Sequence, residues 1–337
     1  MTILITGGAG YIGGHMALRL ADRGEAFVVV DDMSNGVPWA VPPGHDLVVA
    51  STGDYQRMTQ LMRERKIDTI LHFAATLITP ELYDKPLEYY RINAANGRAL
   101  LQAAADCGVK RFVYSATSAV YGNPVSNPVS EAAAIAPTTP YGKSKLVTEH
   151  MLHDLSAVSD LRFVALRYFN VAGADPQARY GQSTTKTTLL VQIAVQAALG
   201  MRQGLEIYGT DYPTADGTCV RDYLHVTDLI DAHDLALEHL RGGGENATLN
   251  VGYGHGYSVR DIIDTVKRVT GRDFPVTEGP RRLGDPVEVV AEASRIRREL
   301  GWIPKLDDIE TIVRHAWAWE QKMEQRRQLD RALSPGA

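Results

Sequence analysis

The sequence predicts an α/β protein with a Rossmann-like, doubly wound parallel sheet and a smaller mixed α/β domain. Short apolar runs rich in β-branched residues alternate with longer helical patterns: T-I-L-I-T, A-F-V-V-V, D-T-I-L-H-F, R-F-V-Y-S and L-R-F-V-A-L. Such unbroken runs are typical of strands that are buried on both faces of a parallel sheet. A glycine-rich loop after the first run supports this fold, because ligands bind beyond the carboxyl ends of such strands.

The alternation changes after about residue 170, where glycine- and proline-rich loops such as D-Y-P-T-A-D-G-T separate the helices. We therefore expect one domain over residues 1–170, a smaller domain over 171–330 and a tail over 331–337. T-L-N-V-G at 248–252 again has the pattern of a buried strand, so segments near 222–253 are expected to return to the first domain. Trp317 and Trp319 on the last helix suit packing or dimer contacts.

Bulk composition limits the function classes. The 337 residues carry a net charge of −5 and a pI near 6.1, which gives no general attraction to nucleic acid or an anionic membrane. Cys107 and Cys219 lie far apart, no apolar run could cross a bilayer, and no signal sequence is apparent, so a cytoplasmic protein is expected. The ten histidines lack ligand spacing, and we predict no metal site.

The loop T-G-G-A-G-Y-I-G predicts a dinucleotide site. Its context is a preceding strand and a following helix, where glycines allow a tight turn and the helix start attracts a pyrophosphate. An acidic residue, Asp31, ends the second strand in V-V-V-D-D; it can accept from ribose hydroxyls and repel a 2′-phosphate, which favours NAD over NADP. The predicted loop contacts are Gly7, Gly10, Tyr11, Ile12 and Gly13.

Two further polar residues are candidate cofactor contacts with open alternatives. Asp54, in T-G-D, could accept from the adenine amino group or serve only as a turn-forming residue. Asn35 is equally well explained as a contact or as a surface residue.

The stretch P-Y-G-K-S-K predicts proton-transfer chemistry. Pro140 favours a helix start, so Tyr141 and Lys145 would lie one turn apart on one helix face. A tyrosine has a pKa of about 10, and a fixed ammonium nearby is expected to lower it. Ser115, Thr117 and Ser118 lie past a strand end, and Thr117 is the favoured hydroxyl partner. An exposed Tyr and Lys without function is the alternative.

These motifs resemble the extended short-chain dehydrogenase/reductases and, within them, the UDP-glucose 4-epimerases, above all bacterial ones that supply UDP-galactose for exopolysaccharide. The resemblance runs over nearly the whole chain, and its most specific stretches are D-Y-P-T-A-D-G-T-C-V-R-D-Y-L-H-V and P-R-R-L-G-D. It implies a 4-epimerase that interconverts UDP-galactose and UDP-glucose through a 4-keto sugar, with tightly bound NAD. Tyr141 would be the proton carrier, Lys145 would lower its pKa and grip the nicotinamide ribose, and Thr117 would replace the family's serine.

The resemblance also implies the remaining site residues. Cofactor contacts would include Phe73, Ala74 and Tyr168 beside those already named. The UDP-sugar would contact Thr117, Asn170, Leu189, Glu206, Tyr208, Arg221, Tyr223, Arg282, Asp285 and Val289. Within this set Arg221 and Arg282 correspond to diphosphate contacts, and Leu189, Glu206 and Tyr208 match the segments that hold uracil.

Two positions depart from the family pattern. Leu77 stands where many relatives carry a lysine near the cofactor, which would loosen NAD retention. Val289 stands where the family has a bulky tyrosine beside the sugar 2-substituent, so N-acetylated UDP-hexosamines become candidate substrates.

Other functions are weighed on the same residues. Dehydratases and decarboxylases of this superfamily carry acidic residues where this chain has Ser118 and Ala119, so dehydration is disfavoured. A UDP-pentose (xylose/arabinose) 4-epimerase shares the chemistry, and a catalytically idle NAD-binding regulator would be expected to lose Tyr141 or Lys145. Relatives commonly dimerise through a helix bundle, so a homodimer built from K-P-L-E-Y-Y-R-I-N and the helix after Tyr141 is expected.

Overall fold

The computed structural model describes residues 2–76, 85–184, 187–282 and 284–333, with side chains described as far as residue 329. The strands are β1 (Thr2–Thr6), β2 (Phe27–Asp31), β3 (Asp46–Val49), β4 (Ile67–His72), β5 (Arg111–Ser115), β6 (Arg162–Tyr168), β7 (Asn170–Ala172), β8 (Leu205–Tyr208), β9 (Val220–Arg221), β10 (Tyr223–His225), β11 (Ala247–Val251), β12 (Tyr257–Ser258), β13 (Val276–Gly279) and β14 (Glu288–Val289).

The helices alternate with these strands through the first half of the chain. They are α1 (Tyr11–Asp22), α2 (Tyr55–Glu64), α3 (Pro86–Tyr89), α4 (Asn96–Asp106), α5 (Pro140–Ala157), α6 (Leu190–Ala198), α7 (Val226–Arg241), α8 (Val259–Thr270), α9 (Ser294–Leu300) and α10 (Ile309–Leu333), with a π-helical turn over Tyr90–Ala95 and 3₁₀ turns over Pro38–Ala40 and Ser118–Tyr121.

A seven-stranded sheet in the order β11-β6-β5-β4-β1-β2-β3 forms the centre of the fold, and all of its neighbouring strands are parallel. Each of the five apolar runs predicted as strands lies in this sheet. The strand predicted at 248–252 is present as β11, which pairs with β6 from Val164 to Tyr168. The predicted doubly wound α/β class is thereby confirmed, whereas the domain boundaries stay a prediction.

Helices cover both faces of the sheet, because its strands are apolar on both sides. On one face α2, α4 and α5 bury a cluster that includes Met58, Leu100 and Leu152. On the other face α1 and α7 pack with Met16 and Leu229 in a core that continues into the later part of the chain. Each fully buried aliphatic side chain contributes about 1.5–3 kcal/mol, so both layers fix the sheet that carries the site.

The later part of the chain adds three small sheets beside the carboxyl ends of the main strands: β10-β7, β12-β9-β14 and β13-β8. Helix α10 packs on this region through Trp319, whose indole Nε1 donates to the Gln182 carbonyl at 2.9 Å and whose ring lies against Tyr180. The structure thus gives Trp319 a packing role. Among the described residues, no helix combines the length and apolarity that a bilayer span needs.

Candidate active site

Three glycines hold the loop between β1 and α1 in a tight turn. Gly7 has a φ of +70°, and a Cβ there would lie 2.5 Å from the backbone nitrogen of Ala74. A Cβ on Gly13 would lie 2.2 Å from the Gly7 carbonyl oxygen. By contrast, a Cβ on Gly10 would meet within 4 Å only that carbonyl oxygen, at 3.3 Å, among the described residues. The loop therefore leaves room at the start of α1, where backbone amides and the helix dipole attract a pyrophosphate.

The other residues predicted beside the loop are in place. The Tyr11 hydroxyl donates to the Gly173 carbonyl at 2.7 Å, which ties the start of α1 to the end of β7. Ile12 is half-buried and packs against the core. Phe73 and Ala74 follow β4 directly. The backbone of Ala74 lies so close to Gly7 that no side chain fits at position 7.

Asp31 ends β2 with its carboxylate buried against the loop. Its Oδ2 accepts from the Ala9 amide at 3.0 Å and its Oδ1 from the Met33 amide at 2.9 Å. Burial raises the pKa of Asp31, and these two hydrogen bonds partly offset the rise. A carboxylate has about four acceptor sites, so it keeps capacity for ribose hydroxyls.

Asp54 and Asn35 are exposed. Asp54 is the N-cap of α2, where its Oδ1 accepts from the Arg57 amide at 3.0 Å. Asp54 therefore has a local structural role, as in the turn-forming alternative. Its contact with the adenine amino group stays a prediction.

Helix α5 begins where the sequence predicts it. The Thr139 hydroxyl accepts from the Gly142 amide at 3.1 Å and Pro140 occupies the first turn. This start places Tyr141 and Lys145 one turn apart on the buried side of α5, with exposed fractions of 9% and 2%. The alternative of an exposed Tyr and Lys is therefore wrong.

Lys145 is held by backbone and by an aromatic face. Its Nζ donates to the Ser115 carbonyl at 2.7 Å, at the end of β5, and lies 4.4 Å from the centre of the Tyr114 ring. These contacts fix the ammonium at the end of β5, close to Thr117, which begins the following turn. Thr117 is also buried, at 6% exposed; its hydroxyl accepts from the Ala119 amide at 3.2 Å and lowers the pKa of Tyr141.

Burial governs the ionisation of this pair. It raises the pKa of Tyr141 well above its usual value, Tyr168 and Tyr89 raise it further, and the hydrogen bond from Thr117 opposes the rise. Burial also lowers the pKa of Lys145 to about 7, and the charge of Glu149 raises it and so partly offsets the effect of burial. The pKa of Tyr141 therefore shifts in the direction opposite to the one that the sequence predicts from Lys145, because a buried phenolate loses hydration.

Tyr168 lies at the end of β6 beside this group. Its hydroxyl accepts from the Ser115 hydroxyl at 2.9 Å, and its ring lies 6.4 Å from His233. Ser115 therefore positions Tyr168, while Thr117 is the hydroxyl that contacts Tyr141.

The predicted diphosphate residues lie in or directly after strands of the smaller sheets. The guanidinium of Arg282 lies 3.8 Å from the centre of the Tyr208 ring, and Arg221 ends β9, where it donates to the Val220 carbonyl at 2.8 Å. Burial raises the pKa of Cys219, Arg221 and Arg282 lower it, and Asp285 raises it, so all three charges act on this one thiol. The neighbouring Tyr223 is buried and also lies within the field of Arg221.

The other predicted substrate residues border the same region. Val289 pairs with Arg221 in the β14–β9 ladder and is 6% exposed. Asn170 is exposed at the start of β7, Leu189 caps the start of α6, and Glu206 is exposed on β8. Leu77 lies outside the described residues, so the departure there stays a prediction. Among the described residues, no group of three or more potential ligands could hold a metal ion.

Sequence reasoning missed two buried acidic residues that support the site. Asp222, between Arg221 and Tyr223, accepts from the amides of Tyr253 at 3.0 Å and Gly254 at 2.9 Å, and thereby fixes the turn after β9. Glu149 lies four residues after Lys145 and is 2% exposed. Its helical spacing from Tyr141 and Lys145 was the signal that could have identified it.

Known proteins match this geometry over the full chain. The family model described as NAD dependent epimerase/dehydratase family matches residues 3–252. A UDP-glucose 4-epimerase of Azospirillum brasilense is 49% identical, over 99% of this chain and 95% of its own.

Two solved structures share the fold. One, a UDP-glucose-4-epimerase from Stenotrophomonas maltophila with bound NAD and formylated UDP-arabinopyranose, has a TM-score of 0.92 and 40% identity over 97% of this chain and 99% of its own. A UDP-Glc/GlcNAc 4-epimerase from Campylobacter jejuni has a TM-score of 0.82 and 41% identity over 95% and 99%. With its glycine loop, buried Tyr141 and Lys145, and these matches, the chain belongs to the NAD dependent epimerase/dehydratase family.

Proposed function

We propose that the chain is an NAD-dependent isomerase that interconverts UDP-galactose and UDP-glucose by inverting carbon 4 of the sugar. The observation that carries this proposal is that Tyr141, Lys145 and Thr117 are all buried, at 9%, 2% and 6% exposed, with Tyr141 and Lys145 one turn apart on α5 and the Lys145 ammonium fixed on the Ser115 carbonyl. The relatives named above, which are 4-epimerases over almost their whole length, support the same reaction.

The loop residues fit NAD. The side-chain-free backbone at Gly10 and the amides at the start of α1 suit the pyrophosphate, and the remaining acceptor capacity of Asp31 suits the adenosine ribose. Bound there, NAD would supply a reversible hydride acceptor for carbon 4 of the sugar. The neighbouring Phe73 and Ala74 complete this side of the site.

Tyr141 moves the proton. Its hydroxyl, once ionised, takes the proton of the sugar 4-hydroxyl and returns it after the 4-keto sugar has turned over. Thr117 orients the sugar oxygen, since its hydroxyl both donates and accepts, and Lys145 stabilises the phenolate form. Since Tyr141 is almost fully buried, the proton exchanges with the sugar in preference to water.

The substrate side supplies charge for the diphosphate. Arg221 and Arg282 lie around Cys219, in an otherwise acidic protein, and a guanidinium binds phosphate oxygens through paired N–H donors. Leu189, Glu206 and Tyr208 would hold the uracil, and Asn170, Tyr223 and Asp285 would line the path to the sugar.

Val289 sets the range of sugars. A valine beside Arg221 occupies less volume than an aromatic side chain, so the site accepts a 2-acetamido group as well as a hydroxyl. The Campylobacter jejuni structure, of a UDP-Glc/GlcNAc 4-epimerase, is a relative with that breadth. The UDP-pentose alternative also keeps support, because a 40% identical structure holds formylated UDP-arabinopyranose.

A homodimer would pair the surface around α3 with the exposed side of α5. Leu87 is 76% exposed on the first and Val147 40% exposed on the second, which supports an apolar contact between copies. Light scattering of the purified chain tests this: a mass of 36.9 kDa in place of twice that value contradicts it.

The function is tested with purified chain and UDP-galactose, UDP-N-acetylgalactosamine and UDP-arabinose separately, without and with added NAD. Products are separated by chromatography. Conversion of UDP-galactose to UDP-glucose is expected, with conversion of the N-acetylated sugar at a measurable rate. Conversion of UDP-arabinose alone would favour the pentose enzyme, and no conversion even with NAD would favour the idle regulator.

A further inference from the structure

The buried side of α5 continues beyond the two residues already assigned. Tyr141, Lys145 and Glu149 follow one another at four-residue spacing and all face the sheet. Glu149 is 2% exposed, and a carboxylate at such depth is costly unless it is paired.

Arg167 supplies the pairing from β6. Its Nε donates to Glu149 Oε2 at 3.1 Å, and its Nη2 donates to Glu149 Oε1, so the ion pair is bidentate. A third donor, Nη1, reaches the Tyr121 hydroxyl at 3.0 Å, and that hydroxyl donates to Asn250 Oδ1 at 2.7 Å. The carboxylate therefore has one orientation, fixed through β6, the Ser118–Tyr121 turn and β11.

We propose that Glu149 is a positioning residue for the reaction, whose negative charge, oriented by Arg167, keeps Lys145 protonated in its buried place one helical turn from Tyr141. This inference rests on the proposed function in one respect, since that function requires Lys145 to be protonated. No water-exposed side of Lys145 exists to hydrate the charge, since it is 2% exposed and its Nζ bonds to the Ser115 carbonyl.

The charges around this row favour the assignment. Burial lowers the pKa of Lys145 to about 7, and Glu149 is the charge that raises it. His72 stays neutral, since burial and Lys145 lower its pKa to about 3. The titratable and charged groups that face the row are His72 on β4, Tyr89 on α3, Tyr114 on β5, Arg167 and Tyr168 on β6, and Tyr121 on the Ser118–Tyr121 turn. Glu149 is thus the one anionic side chain among these described neighbours. Its charge raises the pKa of Lys145 and so opposes the effect of burial.

Single and double variants of Glu149 and Arg167 should shift the titration midpoint of Lys145 in different directions. Glu149→Gln leaves Arg167 as an unbalanced cation and should lower the midpoint of Lys145 titration by on the order of one pH unit. Arg167→Gln leaves Glu149 unbalanced and should raise the midpoint. The double variant removes both charges and should fall between the two single variants. A purely structural role for the pair would not move the midpoint in opposite directions.

The experiment is an NMR titration of the full chain with NAD present and with ¹³C-labelled lysine, the Lys145 signal being assigned by its loss in Lys145→Met. Glu149→Asp, which keeps the charge, should restore most of the wild-type midpoint. Equal midpoints in wild type and Glu149→Gln, or shifts of the same sign in the two single variants, would overturn the proposal. If Glu149→Gln does not fold, the upward shift in Arg167→Gln decides alone.

Activity gives a second readout. The high-pH limb of the pH profile of kcat for UDP-galactose should move with the titration midpoint in each variant. The titration does not depend on turnover, so a chain that binds NAD but converts no UDP-galactose would refute the proposed function and still test the role of Glu149.

Discussion

The cofactor side and the substrate side of the site hold their functional groups in different ways. On the cofactor side, close backbone packing sets the shape of the site. Gly7 lies against Ala74 and Gly13 against Gly7, and neither glycine has space for a methyl group. On the substrate side, the half-buried Arg221 ends a strand of two residues and the exposed Arg282 lies in the segment after β13. Lys145 and Tyr141, between the two, are buried side chains on a long helix.

The difference suits the two ligands. A cofactor that is recycled within each turnover can be held in a rigid cradle, whereas a substrate must enter and leave. Side chains with several rotamers can close on a UDP-sugar and release it, at the cost of ordering them each time. We therefore expect changes on the cofactor side to act on stability and changes on the substrate side to act on KM.

The proton-transfer group between the two sides should show the largest effect. Tyr141→Phe removes the hydroxyl that carries the proton, and general acid–base contributions predict a fall in kcat of about 10²–10⁴-fold. Stability should change by no more than about 1–2 kcal/mol, because one hydroxyl is lost while the buried ring stays. Initial rates with UDP-galactose and urea unfolding check both parts; an unchanged kcat contradicts the assigned role.

Gly7→Ala should break the cofactor side. The new methyl group would lie 2.5 Å from the Ala74 backbone at a φ of +70°, which predicts about 2–4 kcal/mol of destabilisation and loss of NAD binding. Gly108→Ala is the matched control: its φ is +68°, and nothing lies within 4 Å of the added Cβ. Urea unfolding should show a much smaller loss in the control, and equal losses would mean that backbone strain alone is responsible.

Arg282→Met should act on the substrate side alone. Loss of a charge-assisted contact with a phosphate predicts a KM for UDP-galactose about 10–100-fold higher, with kcat and stability little changed. The adjacent Arg281→Met is the control, because Arg281 bonds to Asp211 at 2.7 Å and stacks on Tyr212. A similar KM in both variants would contradict the assignment of Arg282.

Val289→Tyr should give the smallest effect. It narrows the space beside Arg221, so kcat/KM for UDP-N-acetylgalactosamine should fall about tenfold relative to that for UDP-galactose. Val289→Ala should leave the ratio unchanged or raise it. Equal falls in kcat/KM for both sugars would show that Val289 is only a core residue, a role that is also compatible with its exposed fraction of 6%.

Local patterns predicted the cofactor side well. The apolar runs, the glycine loop and the spacing of Tyr141 and Lys145 are each set by residues adjacent in sequence, and the structure contains the strands, the tight turn and the shared helix face. The resemblance to a known family added the substrate residues, which no local pattern could have brought together from β7, β9 and the segment after β13.

Burial and long-range pairing could not be read from sequence. The spacing of Tyr141 and Lys145 predicts an ammonium that lowers the tyrosine pKa, but depth in the fold raises it. Glu149 and Arg167 are 18 residues apart on a helix and a strand, and neither belongs to a motif whose chemistry requires the other. Such pairs depend on how α5 packs on the sheet, which is a tertiary property.

The central claim is that Tyr141 moves only the hydroxyl proton while the hydrogen on carbon 4 leaves and returns as hydride. UDP-galactose that carries deuterium at carbon 4 tests this most directly, with ¹H NMR of the product in ordinary water. The account predicts UDP-glucose that keeps its deuterium at carbon 4. Replacement of that deuterium by hydrogen from water would contradict it, because the carbon would then have exchanged a proton with solvent.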